Sequence, residues 1–206
     1  MIIAFDLGQV IFHVKMQDFL NDLVCDGIFT SYQKAYEFLE SIQVEQDLGK
    51  VAMFQACQNY LFAGQFDPVI FGIVRKWKSV ITPSIPMIQY IFSLLKQGHK
   101  VALLSNIGTD HAAIIKRDYN FVKECITHFS CDVGYRKPDP EFFSSFIELN
   151  NIENPNEILF FDDRPENIAA CSPLRGINFN LADYYTDEMA VGFVQKMIES
   201  AKSKTS

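Results

Sequence analysis

The sequence predicts an α/β fold, with a parallel sheet that carries helices on both faces. Four short runs, almost wholly apolar, share one pattern: residues 2–5, 100–104, 157–161 and, more weakly, 176–180. Apolar runs without alternation are typical of strands buried on both faces, as in parallel sheets. Two amphipathic segments between them, 83–98 and 137–151, have apolar residues at helical spacing. Strands alternating with helices therefore indicate an open parallel sheet.

The segment from residue 15 to residue 80 differs, because it shows helical periodicity and no strand pattern. It contains four amphipathic stretches, and three of them end at a glycine. The stretch "ITPSIP", with two prolines, marks the return to alternating strands and helices. We therefore expect an α/β core formed by residues 1–14 and 81–206, and an inserted helical cap formed by residues 15–80.

Composition excludes several classes of function. The 206 residues fit one domain with a modest insertion. A net charge of -7 argues against a nucleic-acid partner. No apolar run reaches the roughly 18 residues needed to span a bilayer, and Asp6 interrupts the N-terminal one, so we expect neither a membrane partner nor a signal peptide. Five cysteines without a C-x-x-C pair favour reduced thiols in a cytoplasmic protein over a zinc site.

Polar side chains follow the predicted strands at their carboxyl ends, where ligands bind in open parallel sheets. They are Asp6 after the first strand, Ser105 and Asn106 after the second, and Asp162 and Asp163 after the third. Lys137 precedes a predicted helix between the second and third strands. Each of these residues alone is more often a turn or capping residue. Their occurrence together at strand ends predicts one site.

Phosphoryl transfer is the chemistry that suits these residue types. The Asp6 carboxylate can act as a nucleophile and form an aspartyl-phosphate. Lys137 and the Ser105 hydroxyl can offset charge on the phosphoryl oxygens. Three carboxylates against one lysine leave an excess of negative charge, which a bound Mg²⁺ would balance through oxygen ligands. The expected partner is a small phosphorylated metabolite, and the sequence does not indicate an oligomeric state.

Four motifs give the chain a specific resemblance. The stretches "FDLGQV", "LLSN", "RKPDPEFF" and "FFDDRPEN" resemble the motifs of the haloacid dehalogenase (HAD)-like hydrolase superfamily and cover nearly the whole predicted core. The segments "QDLGKV" and 77–106 are similar to the sugar-phosphate phosphatase branch, which includes bacterial α-D-glucose-1-phosphate phosphatase. The resemblance implies a Rossmann-like parallel sheet core with an inserted helical cap.

The resemblance also implies roles for the site residues. Asp6 would be the nucleophile, with Lys137 as the second catalytic residue. Ser105, Asn106 and Lys137 would bind the phosphate. Mg²⁺ would be held by Asp6, by the backbone carbonyl of Gly8 and by Asp163, with Asp162 in support.

Gly8 is a departure from the family pattern, because most family phosphatases have an aspartate there that acts as general acid and base. A glycine donates no proton, and general acid catalysis is typically worth about 10²–10⁴-fold. The leading hypothesis is therefore a Mg²⁺-dependent phosphatase acting on an ester with an acidic leaving group, such as a sugar phosphate. The alternative is a catalytically weak or inactive HAD-fold protein with a binding or regulatory role. Haloacid dehalogenation ranks below both, since the pair Asp162 and Asp163 calls for a cation.

Smaller expectations concern neighbouring residues. Gly8 is expected to serve a turn with positive φ, and Gln9, where Asn is common in that branch, to bond either the loop or a water. Asn167 is expected to orient Asp163. Arg164 and Glu166 are expected to form a surface ion pair. Trp77 is expected to be a core residue. His111 could line the site, since it follows Asn106 closely, but a capping role is favoured.

Overall fold

A five-stranded parallel sheet forms the centre of the structure, a computed structural model that describes residues 1–203. The strands are β1 (Ile2–Phe5), β2 (Phe12–Val14), β3 (Ile81–Pro83), β4 (Lys100–Ser105), β5 (Ile126–Phe129), β6 (Ile158–Asp162) and β7 (Arg175–Asn178). The order in the sheet is β5-β4-β1-β6-β7, and every pairing is parallel. The predicted α/β class is confirmed.

Ten α-helices surround or extend from this sheet in residues 1–203. They are α1 (Met16–Cys25), α2 (Tyr32–Asp47), α3 (Met53–Leu61), α4 (Val69–Lys78), α5 (Ile85–Lys96), α6 (Thr109–Asp118), α7 (Ser130–Val133), α8 (Pro140–Leu149), α9 (Pro165–Ala170) and α10 (Asp187–Ser203). Short 3-10 turns occupy Asn120–Glu124, Pro155–Glu157 and Leu181–Asp183. None of the helices in this part of the chain is long and apolar enough to cross a bilayer.

The sheet is buried on both faces, as continuous apolar runs predict. Alternate strand residues point to opposite faces, so Ile3 and Phe5 pack with α5 and α10 while Ala4 packs on the other side. That other side is filled by three phenylalanines of α8, Phe142, Phe143 and Phe146. Burying each such ring contributes about 1.5–3 kcal/mol relative to leaving it exposed. This packing fixes the strand ends that carry the polar residues.

The sequence pattern does not predict β5. Its residues, Ile126–Phe129, include a threonine and a histidine and form no apolar run. β5 lies at the edge of the sheet and pairs only with β4. His128 is nevertheless buried, because Nε2 lies 2.9 Å from the carbonyl oxygen of Phe142. A tertiary hydrogen bond thus stabilises a polar residue in a strand.

The helices α1–α4 follow one another between β2 and β3, as the helical periodicity of this segment predicts. They have a buried apolar cluster of their own, which includes Phe19, Leu23, Phe38, Ile42 and Ile73. β2 and β3 pair in antiparallel register at the base of this insertion, and three-residue strands are too short to leave a sequence pattern. The backbone N–H of Lys15 donates to the carbonyl of Val80 at 2.8 Å. The predicted cap boundaries at residues 15 and 80 thus lie side by side, but the division into domains stays a prediction.

Candidate active site

The carboxyl ends of β1, β4 and β6 meet at one edge of the sheet because β1 lies between the other two strands. Asp6 directly follows β1, and its backbone N–H donates to the carbonyl of Phe161 in β6 at 2.9 Å. Asp6, Asp162 and Asp163 each offer one carboxylate oxygen, and these atoms lie within 4.8 Å of one another. The structure therefore brings together the three acids that the sequence analysis selects.

Lys137 is the buried cation of this cluster, with 1% of its surface exposed. Nζ lies 2.5 Å from Oδ2 of Asp162 and 3.0 Å from Oδ1 of Asp6, and it donates to the Leu104 carbonyl at 2.9 Å. Lysine is almost never fully buried unless it is paired. Burial lowers the pKa of Lys137, but the two carboxylates outweigh this effect and raise the pKa above its ordinary value. The ammonium is thus held charged at the centre of the site.

The Asp6 carboxylate is buried and incompletely satisfied. Burial raises its pKa above the ordinary value, against the opposing effect of the Lys137 ammonium. Although Lys137 Nζ is close to Oδ1, no group in residues 1–203 meets this buried oxygen with hydrogen-bond geometry. A buried carboxylate oxygen without a donor is costly, and it suits a cation or an incoming phosphoryl group.

Asp163 lies at the more open side of the cluster and is half-buried. Burial raises its pKa to about 7, and the nearby carboxylates of Asp6 and Asp162 add to this shift. Like charges held this close disfavour each other's ionised form. A bound cation would remove that conflict.

Asp162 differs from the other two acids because both of its oxygens already have donors. Oδ2 accepts from Lys137, and Oδ1 accepts from the backbone N–H of Arg164 at 2.9 Å. The side-chain amide of Asn167 donates to both oxygens, at 2.9 Å and 3.1 Å. The expectation that Asn167 orients Asp163 is therefore wrong: its partner is Asp162, which faces back towards α9 and Lys137.

Asn106 uses its side chain to hold Lys137. Its Nδ2 donates to the Lys137 carbonyl at 2.7 Å, and its Oδ1 accepts from the Lys137 backbone N–H at 2.7 Å. The carboxamide of Asn106, a residue that the resemblance assigns to phosphate binding, is thus engaged with a residue 31 positions away. The backbone N–H of Asn106 has no acceptor in the described part of the chain. It is the group of Asn106 that can meet an anion.

Ser130 is a supporting residue of the site that was not predicted from the sequence. Its Oγ accepts from the backbone N–H of Ile107 at 2.9 Å and lies 3.4 Å from the carbonyl of the same residue. Ser130 is fully buried at the start of α7, and so it fixes the loop that follows Ser105. No signal in the sequence points to this contact. Ile107 and Ser130 are 23 positions apart, and they are brought together by the pairing of β4 with β5.

The loop after Asp6 turns at Gln9 rather than at Gly8. Gln9 has a φ of 54°, whereas Gly8 lies outside the left-handed region, so the expectation of a positive φ at Gly8 is wrong. The side-chain amide of Gln9 donates to the carbonyl of Val14 in β2 at 3.3 Å. The Gly8 carbonyl accepts no hydrogen bond from residues 1–203 and can therefore serve as a ligand.

A cavity of about 400 Å³ adjoins the site and lies between the sheet and the helical insertion. Gly8, Ser105 and Asn106 border it on the sheet side, and Trp77 and His111 border it further out. His111 Nε2 lies 2.8 Å from the Trp77 carbonyl oxygen, so His111 joins the core to the insertion rather than capping its own helix. The expected ion pair of Arg164 with Glu166 is present, at 2.7 Å.

Among known proteins, two relatives each match part of the sequence. The chain is 34% identical to bifunctional epoxide hydrolase 2 of Sus scrofa over 83 residues, which are 38% of this chain and 15% of that protein. It is 35% identical to the chloroplast flavin mononucleotide hydrolase 1 of Arabidopsis thaliana over 66 residues, 31% of this chain and 26% of that protein. The chain thus spans about a quarter or less of the length of these curated relatives.

The fold is similar to that of a HAD family enzyme from Bacteroides thetaiotaomicron, whose crystal structure contains magnesium and inorganic phosphate. The two structures align with a TM-score of 0.74 at 20% sequence identity, over 89% of this chain and 96% of that chain. The family model described as haloacid dehalogenase-like hydrolase matches residues 1–173. With this match over most of its length, the chain belongs to the haloacid dehalogenase-like hydrolase family.

Proposed function

We propose that this hydrolase is a Mg²⁺-dependent phosphatase that acts on a small phosphorylated metabolite through an aspartyl-phosphate on Asp6. The observation that carries the proposal is the convergence of Asp6, Asp162 and Asp163, one carboxylate oxygen of each lying within 4.8 Å of the others, with the buried Lys137 ammonium 3.0 Å from Oδ1 of Asp6. The names of two similar proteins support it. One relative hydrolyses flavin mononucleotide, a phosphate ester, and one structural neighbour was crystallised with magnesium and phosphate.

The donor set fits Mg²⁺. Asp6, Asp163 and the Gly8 carbonyl offer only oxygen atoms, which are the ligands that Mg²⁺ prefers. Asp162 already accepts from several donors, and so it would support the site through Lys137 rather than provide a main ligand. When bound, the ion would polarise a phosphoryl oxygen and offset its charge.

The chain's own residues then perform the displacement. A carboxylate oxygen of Asp6 attacks phosphorus, the bond from phosphorus to the leaving oxygen breaks, and the leaving oxygen takes a proton. Water next attacks the aspartyl-phosphate, which releases inorganic phosphate and restores the Asp6 carboxylate. The ammonium of Lys137, the hydroxyl of Ser105 and the backbone N–H of Asn106 stabilise the charge on the phosphoryl oxygens. The Asn106 side chain keeps Lys137 in position throughout.

Gly8 limits which substrates suit this site. It has no side chain to donate a proton, so the leaving oxygen must depart with little help or take its proton from water. Sugar 1-phosphates and acyl phosphates have more acidic leaving groups than simple alkyl phosphates. The proposed substrate class is therefore a phosphorylated metabolite of this kind, with a sugar phosphate as the first choice.

A screen of phosphorylated metabolites with and without Mg²⁺ tests the proposal, with Asp6→Asn as the control. We expect release of phosphate only with the metal and only from the native protein, because an amide is a poor nucleophile. If Mg²⁺ and phosphate bind but no ester is hydrolysed, the alternative of a binding or regulatory protein is correct. Metal-independent release of halide from 2-haloacids would instead indicate a dehalogenase.

A further inference from the structure

Three phenylalanines form an exposed aromatic patch on the helical insertion. They are Phe54 in α3, Phe66 in the loop before α4 and Phe71 in α4. The ring centroid of Phe71 lies 5.7 Å from that of Phe54 and 5.7 Å from that of Phe66. Phe54 packs against the apolar cluster of the insertion, whereas Phe66 is 58% exposed and Phe71 is 60% exposed. A single exposed ring is ordinary, but rings in mutual contact at the surface mark a site of protein association.

The aromatic patch is separate from the candidate active site. Helix α4 buries Ile70 and Ile73 in the insertion, and Trp77 at its end borders the cavity. Phe71 points to neither place: it is exposed, and it does not border the cavity. A partner bound at the aromatic patch would therefore leave the entrance to the reaction centre free.

Two charged residues flank the patch symmetrically. Asp67 lies four positions before Phe71 and Arg75 four positions after it, so the three side chains share one side of the helix. Neither Asp67 nor Arg75 has an oppositely charged partner in residues 1–203. Lys76, by contrast, is already paired with Asp26 at 2.7 Å. The exposed side of α4 thus carries one unpaired acid and one unpaired base at equal distances from its central ring.

Gly72 is an unusual residue for the middle of α4. Glycine destabilises a helix interior relative to alanine. Packing within the chain does not require it, because a Cβ built on Gly72 would have no heavy atom within 4 Å. Gly72 directly follows Phe71, so its lack of a side chain leaves room beside the ring. Such room is useful when the backbone of another helix approaches closely.

We propose that the aromatic patch binds a second copy of this chain, with the two α4 helices packed antiparallel across a two-fold axis at Phe71. In an isologous dimer each residue meets its symmetry counterpart. Phe71 then packs on Phe71 of the second copy, and Asp67 of each copy lies opposite Arg75 of the other. The backbones approach at Gly72. This inference concerns assembly, and it does not depend on the proposed phosphatase function.

Charge favours a second copy over a lipid surface. An anionic membrane attracts helices with an excess of cations, whereas this chain has a net charge of -7 and the patch is flanked by one charge of each sign. The patch is small, and small interfaces are weak. We therefore expect a dimer with a dissociation constant of about 1–100 µM.

Sedimentation velocity over a range of protein concentrations measures this association. Phe71→Ala should raise the dissociation constant at least about tenfold, because the ring at the centre of the interface is lost. Leu149→Ala is the matched control, since Leu149 is 68% exposed at the end of α8 and should not affect association. Activity per chain should be the same in all three proteins.

The charges provide a second test. Arg75→Glu places an acid opposite Asp67 and should also weaken the dimer at least about tenfold. Adding Asp67→Lys to this variant restores opposite charges across the axis and should restore association. Asp67 also accepts from the Val69 backbone N–H at 2.8 Å, so thermal unfolding of the double variant checks that the fold is intact.

Gly72→Ala separates an interface role from a structural one. In dilute, monomeric protein it should raise Tm by about 1–3 °C, yet it should weaken association at least about tenfold. Gly192→Ala in α10, where a Cβ also meets nothing within 4 Å, should raise Tm without changing association.

Each outcome decides the proposal. Loss of association in Phe71→Ala, with rescue of Arg75→Glu by Asp67→Lys, supports it. A native protein that stays monomeric up to about 1 mM overturns it, as does a monomer that binds anionic phospholipid vesicles through Phe71. A dimer unchanged by Phe71→Ala and Arg75→Glu would show that the interface lies elsewhere, and the proposal would be wrong.

Discussion

Replacing Gly8 by aspartate tests whether protonation of the leaving group limits the proposed reaction. The position accepts a side chain, because a Cβ on Gly8 would meet only Val14 Cγ2, at an ordinary contact distance of 3.4 Å. The left-handed residue of this loop is Gln9, so the substitution introduces no backbone strain at Gly8. The new carboxyl would stand two residues after the Asp6 nucleophile. A positioned general acid accelerates such steps by about 10²–10⁴-fold.

We expect this gain only where the leaving group is poor. In a series of phosphate monoesters with graded leaving-group pKa, the native rate should fall steeply as that pKa rises. Gly8→Asp should raise kcat/KM for alkyl phosphates by about 10²-fold or more, which is equivalent to lowering the barrier by about 2.7 kcal/mol. The same substitution should change kcat/KM for acyl phosphates little. Gly8→Asn controls for size, since its amide donates no proton. A flat native series, or an equal gain in Gly8→Asn, would refute the reasoning.

The remaining predictions concern the metal and the support of the site. Mg²⁺ affinity measured by calorimetry should fall about tenfold between pH 8 and pH 6, because the raised pKa of Asp163, about 7, lets protons compete with the cation as the pH falls. Asp163→Asn should weaken Mg²⁺ binding at every pH and flatten this dependence. Asn106→Ala should lower the free energy of unfolding by about 1–3 kcal/mol in denaturant titrations, because the Lys137 backbone loses both of its hydrogen bonds to the Asn106 side chain. Gly49→Ala should be more destabilising than Gly27→Ala, since both have positive φ but only Gly49 is crowded.

Each of these experiments has a result that contradicts its premise. Mg²⁺ affinity that is independent of pH, or unchanged in Asp163→Asn, would exclude Asp163 as a ligand. An Asn106→Ala variant as stable as the native protein would mean that these two hydrogen bonds add nothing to folding. Equal losses in Gly49→Ala and Gly27→Ala would show that the contact with Cys131 is not tight in solution.

The sequence by itself determined the sheet strands that carry the site. β1, β4 and β6 are buried on both faces, and double burial leaves a continuous apolar run that is visible without a structure. The polar residues at their ends stand out against these runs for the same reason. The order of the strands was not predicted: the structure places β1 between the other two, and this order brings Asp6 beside Asp162 and Asp163.

The tertiary structure decided which side chains serve the site and which support it. From the sequence, Asn106 is expected to bind phosphate and Asn167 to orient Asp163, yet their side chains hold Lys137 and Asp162. β5 escaped prediction because its polar residues are stabilised by contacts with α8 rather than by its own pattern. A local sequence pattern indicates which residues are buried. The hydrogen-bond partner of a side chain depends on which distant segments come into contact when the chain folds.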